Sequence, residues 1–540
     1  MSVSNIISNS STAALIELSA LGAQDTLLTC DPTKSLFHQT YSRVTNFALG
    51  EHTMLMDSAP SGTNWGESVV TAEMDRTAGD LLGPVYLDFS LSGLPQHVYG
   101  LNEFMLWTPA VGFAIIDESQ VKIGNQVYEK LSGEYLMMHD EISRPEGRRA
   151  SKLVGDYAPY LRNFAPFFPS TVTIPEEAGG FPIAQQTLGA FPPMVNSLAA
   201  FASSDTAGII KGIEYSTRTQ AILAPLNHFW TRNPGDYLNM VGAQYQQVKL
   251  QLKLRKYTDL AMKFTYVESG EMTAVADVSV AEPSGVISGM QILAVSVYLD
   301  QAERRLKAQT AQTSRFVYVQ RETHDTNVDQ KAHTINFDNH FKNPVSRLLW
   351  AWRADAAKSR KEYFQFGAYR GTRVRVSNAQ GGGFSESSTA QEVTTESTAF
   401  EWLINNQSRI AQKSEYFLYA QPYERATRVP TRIVYSYALA LEPDCDHEYT
   451  GSLNFSRLDN IVFRSTLKDV VTDLDPPLTE TLYLDYSNRM GGLNSVSCSL
   501  FSSDAARVTE GSAKGKYLLF AETNNFYKQA AGMFGLLFPV

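Results

Sequence analysis

The sequence predicts an all-β protein built of antiparallel sandwiches. Three observations carry that prediction: strict apolar/polar alternation recurs along the chain, a two-residue hairpin signal joins two such runs, and helical stretches are few and short. Alternation points to sandwiches because successive side chains of a strand face opposite sides of its sheet, and only one side of a sandwich sheet is buried. At 540 residues the chain is long enough for two large β domains.

The elements follow in chain order. Near the N-terminus, "STAALIELSALG" predicts a short helix with Ser11 or Thr12 as its cap and Gly22 as its stop. In "VYLDFSLS", Val85, Leu87, Phe89 and Leu91 alternate with Tyr86, Asp88, Ser90 and Ser92. "QVKIGNQVYEK" predicts a hairpin in which Gly124-Asn125 supplies the positive φ of a tight turn. "VKLQLKLR" is a strand with Val248, Leu250, Leu252 and Leu254 on one face. Asp300 and Glu303 resemble a capping box that starts a helix directly after a strand. In "RIVYSYALALE" the alternation places Ile433, Tyr435, Tyr437 and Leu439 on one face. Two irregular regions interrupt the pattern, one at about residues 159–217 and one at about 354–400, the latter containing "NAQGGGFSESSTAQEVTTEST". The expected organisation is an N-terminal arm over 1–25, a first β domain over 26–255 and a second over 256–540.

Composition excludes several function classes. Charged residues are 19% of the chain, below the roughly 25% of typical soluble domains, while 28 Phe and 26 Tyr favour broad β surfaces and large subunit contacts. The net charge is −10 and Lys and Arg are scattered, so direct nucleic-acid binding is not expected. Cys30, Cys445 and Cys498 are widely spaced and odd in number, which is not a disulfide framework and suits a reducing cytosol. No Lys or Arg precedes the short apolar part of the N-terminus, so no secretory signal is expected, and no apolar run is long enough to span a membrane. The apolar tail "AGMFGLLFPV" is read as a buried last strand or an intersubunit clasp.

Two clusters invite a metal reading. Asp444, Cys445, Asp446, His447 and Glu448 are consecutive, yet neighbours in an extended segment point alternately outward, and Pro443 and Gly451 are turn punctuation. A solvated turn, tolerant of change, is expected there. His324, Asp325, Asp329 and His333 lack a compact metal spacing and are read as a polar surface loop. His38, His139 and His228 stand alone and are expected to pack or to hydrogen-bond. Gly381 to Phe384 follows no strand-to-helix pattern and is read as a flexible loop, and no nucleophile elbow or phosphate-binding loop is present. Asn9, Asn406 and Asn454 match the glycosylation tripeptide, and no modification is inferred from them. Catalytic residues, metal ligands and cofactors are therefore all expected to be none.

Nine stretches taken in order resemble the major capsid proteins of the nucleocytoplasmic large DNA viruses, the group of iridoviruses and phycodnaviruses. They include "FHQTYSRVTNFAL", "DLLGPVYLDFSLSGL", "VGFAIIDESQVKIGNQVYEKLSGEYL" and "LNHFWTRNPGDYLNMVGAQYQQVKLQL" in the first half. "VYLDQAERRLKAQ", "INFDNHFKNPVSRLLW", "YAQPYERATRVP", "YSYALALEPDCDHEYTGSLNFSRLDN" and "NNFYKQAAGMFGLLF" follow in the second. The resemblance implies a double jelly roll: two consecutive eight-stranded sandwiches, with the two irregular regions as outward insertions. It implies a non-enzymatic subunit that forms homotrimeric, pseudo-hexagonal capsomers tiling an icosahedral shell. Neighbouring capsomers and minor capsid or penton proteins are the implied partners, with the N-terminal arm toward an inner membrane. The implied location is the virion shell, assembled in the infected-cell cytoplasm. A poxvirus-like scaffold of the same fold and a carbohydrate-binding β-sandwich are the alternatives.

Overall fold

The structure is a computed structural model. It describes residues 12–16, 18–20, 44–60, 68–74, 79–94, 103–156, 219–266, 272–275, 287–326, 332–336, 341–355, 363–377, 384–394, 396–445, 448–458, 460–467, 481–484, 496–501 and 515–538, with a few isolated positions besides. The chain divides into two compact units, residues 1–46 and 47–540. In the first, residues 12–16 and 18–19 are helical, where the N-terminal helix is expected, and Leu15, Ile16 and Leu18 are exposed. Ser11 lies outside the described residues.

The second unit holds two antiparallel sandwiches. In the first, Gln126–Leu131, Ile116–Ile123, Val248–Leu254 and Val69–Glu73 form one four-stranded layer. Phe47–Asp57, Ile287–Leu299, Leu81–Leu91 and Gln220–Pro225 form the other. Phe47–Asp57 belongs to both layers: its start pairs with Ile287–Leu299 and its end, Met56 and Asp57, pairs with Val69–Glu73. Val85, Leu87, Phe89 and Leu91 are buried, as are Val248, Leu250, Leu252 and Leu254, and the two rows meet in one core. Gly124 takes φ +62° between strands that pair Ile123 with Gln126, the expected hairpin. Ile287–Leu299, placed by sequence in the second domain, pairs with strands of the first, and Ala261–Tyr266 pairs with Glu103–Trp107. The first sandwich thus extends to about residue 299, beyond the expected 255.

The second sandwich begins after the helix Gln301–Gln309, which Asp300 caps by accepting from the Gln301 N–H at 2.8 Å. One layer is Gln312–Thr326, Gly515–Ala530, Pro344–Ala354 and Tyr435–Ala438. The other is Ala332–Asn336, Ile461–Leu467, Ser397–Ile404 and Gln407–Lys413. Between them Trp350 meets Phe400, Trp402, Phe417, Tyr435 and Phe463 at ring-centroid distances of 5.3–5.9 Å. Such aromatic contacts add directional preference to the apolar burial that drives the packing.

Three readings of the sequence differ from the structure. The segment 384–394 is not loop: Phe384–Thr394 pairs with Ala368–Ser377, which continues through Val496–Phe501 to Thr481–Leu484 as a four-stranded sheet. Ser, Thr and Glu lower the apparent strand signal, but strand propensity depends on context strongly enough for such a segment to pair. His324 and Asp325 lie at the end of Gln312–Thr326 and His333 lies in Ala332–Asn336, so these are strand residues rather than a loop; Asp329 lies outside the described residues. In "RIVYSYALALE" Tyr435 lies in the second core with Ile433, Tyr437 and Leu439 packed against it, as the alternation places them, while Val434 turns into the first core and Arg432 turns its guanidinium inward to carboxylates. Finally, "GSLNFSRLDN", which by its sequence reads as a strand with a polar end, is a two-residue pairing, Leu453–Asn454, followed by a 3-10 turn at Phe455–Arg457 that Asn454 caps. The first insertion, 159–217, lies outside the described residues.

The helix Gly133–Ser143 starts at Ser132, whose hydroxyl accepts from the Tyr135 N–H, and ends before Pro145 with Arg144 already extended. Its first residue has to be glycine. A Cβ there would lie 2.2 Å from the Phe113 carbonyl oxygen and 2.7 Å from that of Ile116. Gly133→Ala is therefore expected to destabilise the protein by about 1–3 kcal/mol, the range for overpacked core sites, read as a lower urea midpoint at unchanged slope.

Candidate functional site

The Gly133–Ser143 helix is buried along its whole length, although Glu134, His139, Asp140 and Glu141 are four of its residues. Buried charges are tolerable only when paired and hydrogen-bonded, and here the partners come from both sandwiches.

At the start of the helix, Glu134 accepts from Arg255 at 2.7 Å and from Arg353 at 3.2 Å. Arg353 belongs to the Pro344–Ala354 strand of the second sandwich, while Arg255 follows the Val248–Leu254 strand of the first and lies 4.3 Å from the Tyr363 ring centre. Burial pushes the Glu134 carboxyl up, but Arg255, Arg353 and Arg321 outweigh it and hold the group well below the usual range.

Midway, the Tyr135 hydroxyl donates to Glu522 at 2.6 Å. Glu522 stands in Gly515–Ala530 and takes two bonds of 2.9 Å from Arg347, a fork-to-fork pair. The remaining Arg347 donors go to Asp444 at 2.6 Å and to Ser143 at 2.9 Å. Burial alone lowers the Arg347 pKa, but Asp444 and Glu522 raise it above its ordinary value. Asp444 also accepts from the Thr427 N–H and hydroxyl. The expectation of a solvated, tolerant turn thus fails at Asp444, whose side chain is 15% exposed. Cys445 is half-buried, and Asp446 and His447 lie outside the described residues.

At the end of the helix Glu141 gathers Arg149, Arg428 and Arg432, and accepts from Thr431. Arg432 in turn forks onto Asp156, at 3.0 Å to both oxygens. Burial raises the Glu141 pKa, and Arg432, Arg149 and Arg428 more than reverse it. Three acidic side chains, from Glu134 through Glu522 to Glu141, therefore tie the helix and the two sandwiches together. A cavity of about 70 Å³ opens beside the middle group, lined by His139, Ser143, Arg144, Arg232, Arg347, Pro443, Asp444 and Glu522.

A second array has the geometry of a hydrolase triad. Ser119 Oγ lies 2.8 Å from His228 Nε2, and His228 Nδ1 lies 2.9 Å from Glu129 Oε2. All three are fully buried, however, and Glu129 also accepts from the Phe229 N–H while the His228 ring stacks on Trp230. A nucleophile needs an accessible carbonyl beside it, and this serine lies in a central strand paired on both sides. His228 thus packs and hydrogen-bonds.

In the second core Glu396 is buried with hydroxyls as its hydrogen-bond partners: Tyr435 at 2.9 Å, Ser397 at 3.3 Å and Tyr517 at 3.4 Å. Burial raises its pKa to about 7, and those hydroxyls only partly offset the rise. Among the described residues no group of three His, Cys, Asp or Glu is placed to share a metal ion.

Glu522→Ala, which leaves Arg347 buried beside a half-paired charge, is expected to cost about 3–5 kcal/mol in urea unfolding. Asp444→Ala should cost measurably less and Cys445→Ala under about 0.5 kcal/mol. Glu396 carries a different pH signature. Its folded pKa of about 7 exceeds the ordinary 4.5, so the wild type loses stability as pH rises from 4.5 to 7. Glu396→Gln should therefore be more stable than wild type at pH 8, by up to ~3 kcal/mol at ~1.4 kcal/mol per unit, and the advantage should vanish near pH 4.5 in thermal melts. Glu134, Glu141 and Glu522 act in the opposite sense, since depressed carboxyls stabilise above their unfolded pKa and lose that contribution in acid.

Comparison with known proteins assigns both halves. A family model described as "Major capsid protein N-terminus" matches residues 35–300, and one described as "Large eukaryotic DNA virus major capsid protein" matches 303–475. The major capsid protein of Phaeocystis pouchetii virus is 23% identical over 84% of this chain and 93% of its own. That of Paramecium bursaria Chlorella virus 1 is 23% identical over 89% and 94%. Among solved structures, the PBCV-1 virus capsid superposes with a TM-score of 0.60 at 18% identity, covering 94% of this chain and 100% of that one. The Faustovirus major capsid protein gives 0.58 at 9% identity, covering 94% of both chains. The two sandwiches are thus the double jelly roll. With both halves matched in order, the chain belongs to the major capsid proteins of the large eukaryotic DNA viruses, and it is a structural protein of the capsid shell rather than an enzyme.

Proposed function

We propose that this major capsid protein assembles as a homotrimer whose six sandwiches make a pseudo-hexagonal tile, and that such tiles pave an icosahedral shell. The observation that carries the reading is an exposed apolar strip at the C-terminal edge. Met533–Leu536 pairs back on Gly515–Ala530, and the strip continues through Leu537 and Phe538, which are 47% and 51% exposed. Phe526 packs its ring on Phe538, and Tyr245, 74% exposed, donates its N–H to the Gly532 carbonyl beside Met533. An apolar patch rimmed by polar residues marks an association surface, and this strip fits the clasp expected of the tail.

Two sandwiches per chain support the trimer, because three chains then present six similar edges. The chain's match to capsid proteins over both halves favours a permanent shell over a departing scaffold or a carbohydrate-binding protein. Neighbouring capsomers and minor capsid or penton proteins are the partners that follow, with assembly in the infected-cell cytoplasm. The exposed Leu15, Ile16 and Leu18 support a contact of the arm with an inner membrane or a protein beneath the shell. The division of the two domains falls near residue 300, where the pairing of Ile287–Leu299 ends and the helix Gln301–Gln309 begins.

Purified protein should have a solution mass of three times 59.9 kDa. The double variant Leu537→Asp with Phe538→Asp should shift it toward the monomer at unchanged far-ultraviolet circular dichroism. A wild-type monomer across the micromolar range would overturn the proposal. Deleting residues 1–24 should leave the trimer intact and weaken contacts beneath the shell in assembled particles.

A further inference from the structure

We propose that the cavity between the two jelly rolls is a binding site for one small inorganic anion of single charge, such as chloride or dihydrogen phosphate, held by Arg144, Arg232 and His139. The lining sets the charge of the ligand. Arg144, Arg232 and Arg347 bring three guanidinium groups to the cavity, and Asp444 and Glu522 bring two carboxylates. Arg232 also reaches Glu129, outside the lining, at 3.7 Å, and among the lining groups one positive charge is left over while His139 is neutral. A single negative charge cancels it, whereas a cation would face three guanidiniums.

Size and hydrogen bonding point the same way. The cavity, about 70 Å³, takes a halide with a water or a tetrahedral oxyanion, given that a water's share of liquid volume is about 30 Å³. Arg347 spends its donors on Glu522, Asp444 and Ser143. Arg144, by contrast, makes one long bond among the described residues, to Asn227 Oδ1 at 3.4 Å, and so keeps most of its donor fork for a ligand. His139 is 5% exposed, and its Nδ1 has no hydrogen-bond partner. A buried polar atom of this kind calls for a ligand or water against it.

The potential decides between a water pair and an anion. His139 shares the cavity lining with Arg144, Arg232, Arg347, Asp444 and Glu522, and its ring centre lies 5.8 Å from that of Tyr135. Burial first, and then the three guanidiniums, drive its pKa well below the ordinary value against the pull of Asp444. The field at this ring is therefore positive. Water is indifferent to the sign of that field, and an anion is stabilised by it. The site draws on both jelly rolls, so a bound anion adds a bridge between them.

The test uses the full-length protein as purified, in sodium gluconate, a bulky anion too large for the cavity. Sodium chloride and, separately, sodium phosphate at pH 6 are titrated in at constant ionic strength while thermal unfolding is followed. A saturable rise in Tm of about 2 °C at a hundredfold excess over Kd is expected for chloride, phosphate or both. Arg144→Gln should weaken the apparent affinity at least tenfold with its Tm in gluconate little changed. If that variant does not fold, competition in the wild type decides: chloride and phosphate sharing one site must give non-additive increments. No saturable increment from either ion, additive increments, or an Arg144→Gln protein that responds as wild type would each overturn the proposal.

Discussion

One layer of the second jelly roll, Gln312–Thr326 with Gly515–Ala530 and Pro344–Ala354, has no solvent face over its middle, and the architecture depends on that constraint. Trp350, Trp352, Tyr517, Leu519 and Ala521 turn one way into the second core. Leu349, Ala351, Leu518 and Phe520 turn the other way into the core of the first jelly roll. A sheet covered on both sides fuses its neighbours into a single body, and apolar burial on two faces is the favourable term that does so. The price is that every polar group on its inner face must find a partner without water.

The ion pairs around the Gly133–Ser143 helix answer that requirement. Arg347 and Glu522 come from adjacent strands of the doubly covered layer, Tyr135 and Glu141 from the helix, and Asp444, Arg428 and Arg432 from the loops beyond. Replacing buried ion pairs by apolar residues of similar volume is often neutral or even stabilising, so these charges are poorly explained as a source of stability. Apolar surfaces tolerate sliding, whereas a forked Arg–carboxylate pair at 2.9 Å fixes one register. Glu134, Tyr135 and Glu141, spaced along one helix, bond to Arg353, to Glu522 of that pair and to Arg432, and so fix an orientation between the two rolls.

This explains which parts of the fold were legible in the sequence. Leu81–Leu91 and Val248–Leu254 are covered on one face, so their side chains alternate and announce themselves. Gly515–Ala530 is covered on both and does not: its "KYLLFAETNN" mixes apolar and polar residues that are nearly all buried. The resemblance to capsid proteins covered only the last part of that strand, from Asn524 onward. Asp444 was misread for a related reason. Its partner Arg347 lies 97 residues away and Glu141 lies 287 from Arg428, separations at which no local motif survives. Glu396 sat in a Ser/Thr-rich stretch with the composition of a loop, and only the fold brings Tyr435 and Tyr517 to it. The C-terminal tail was legible because exposed and buried apolar residues look alike in sequence, and either reading predicts a strand at an edge.

The two kinds of surface on this chain divide the work of a shell subunit. In the proposed tile, any error in the angle between the two rolls would pass to every neighbour, so that angle has to be set inside the chain, before assembly. Directional, sealed charge pairs do this better than apolar contact, and they are placed where water cannot compete. Association between chains has the opposite need: it must be reversible during growth, so that misplaced subunits can leave. An apolar strip such as Tyr245, Met533, Leu537 and Phe538, wetted until it is covered, gives non-directional attraction without buried charges to strand. Charge pairs set within an apolar junction, together with an apolar outer edge, suit a rigid unit built for repeated contact.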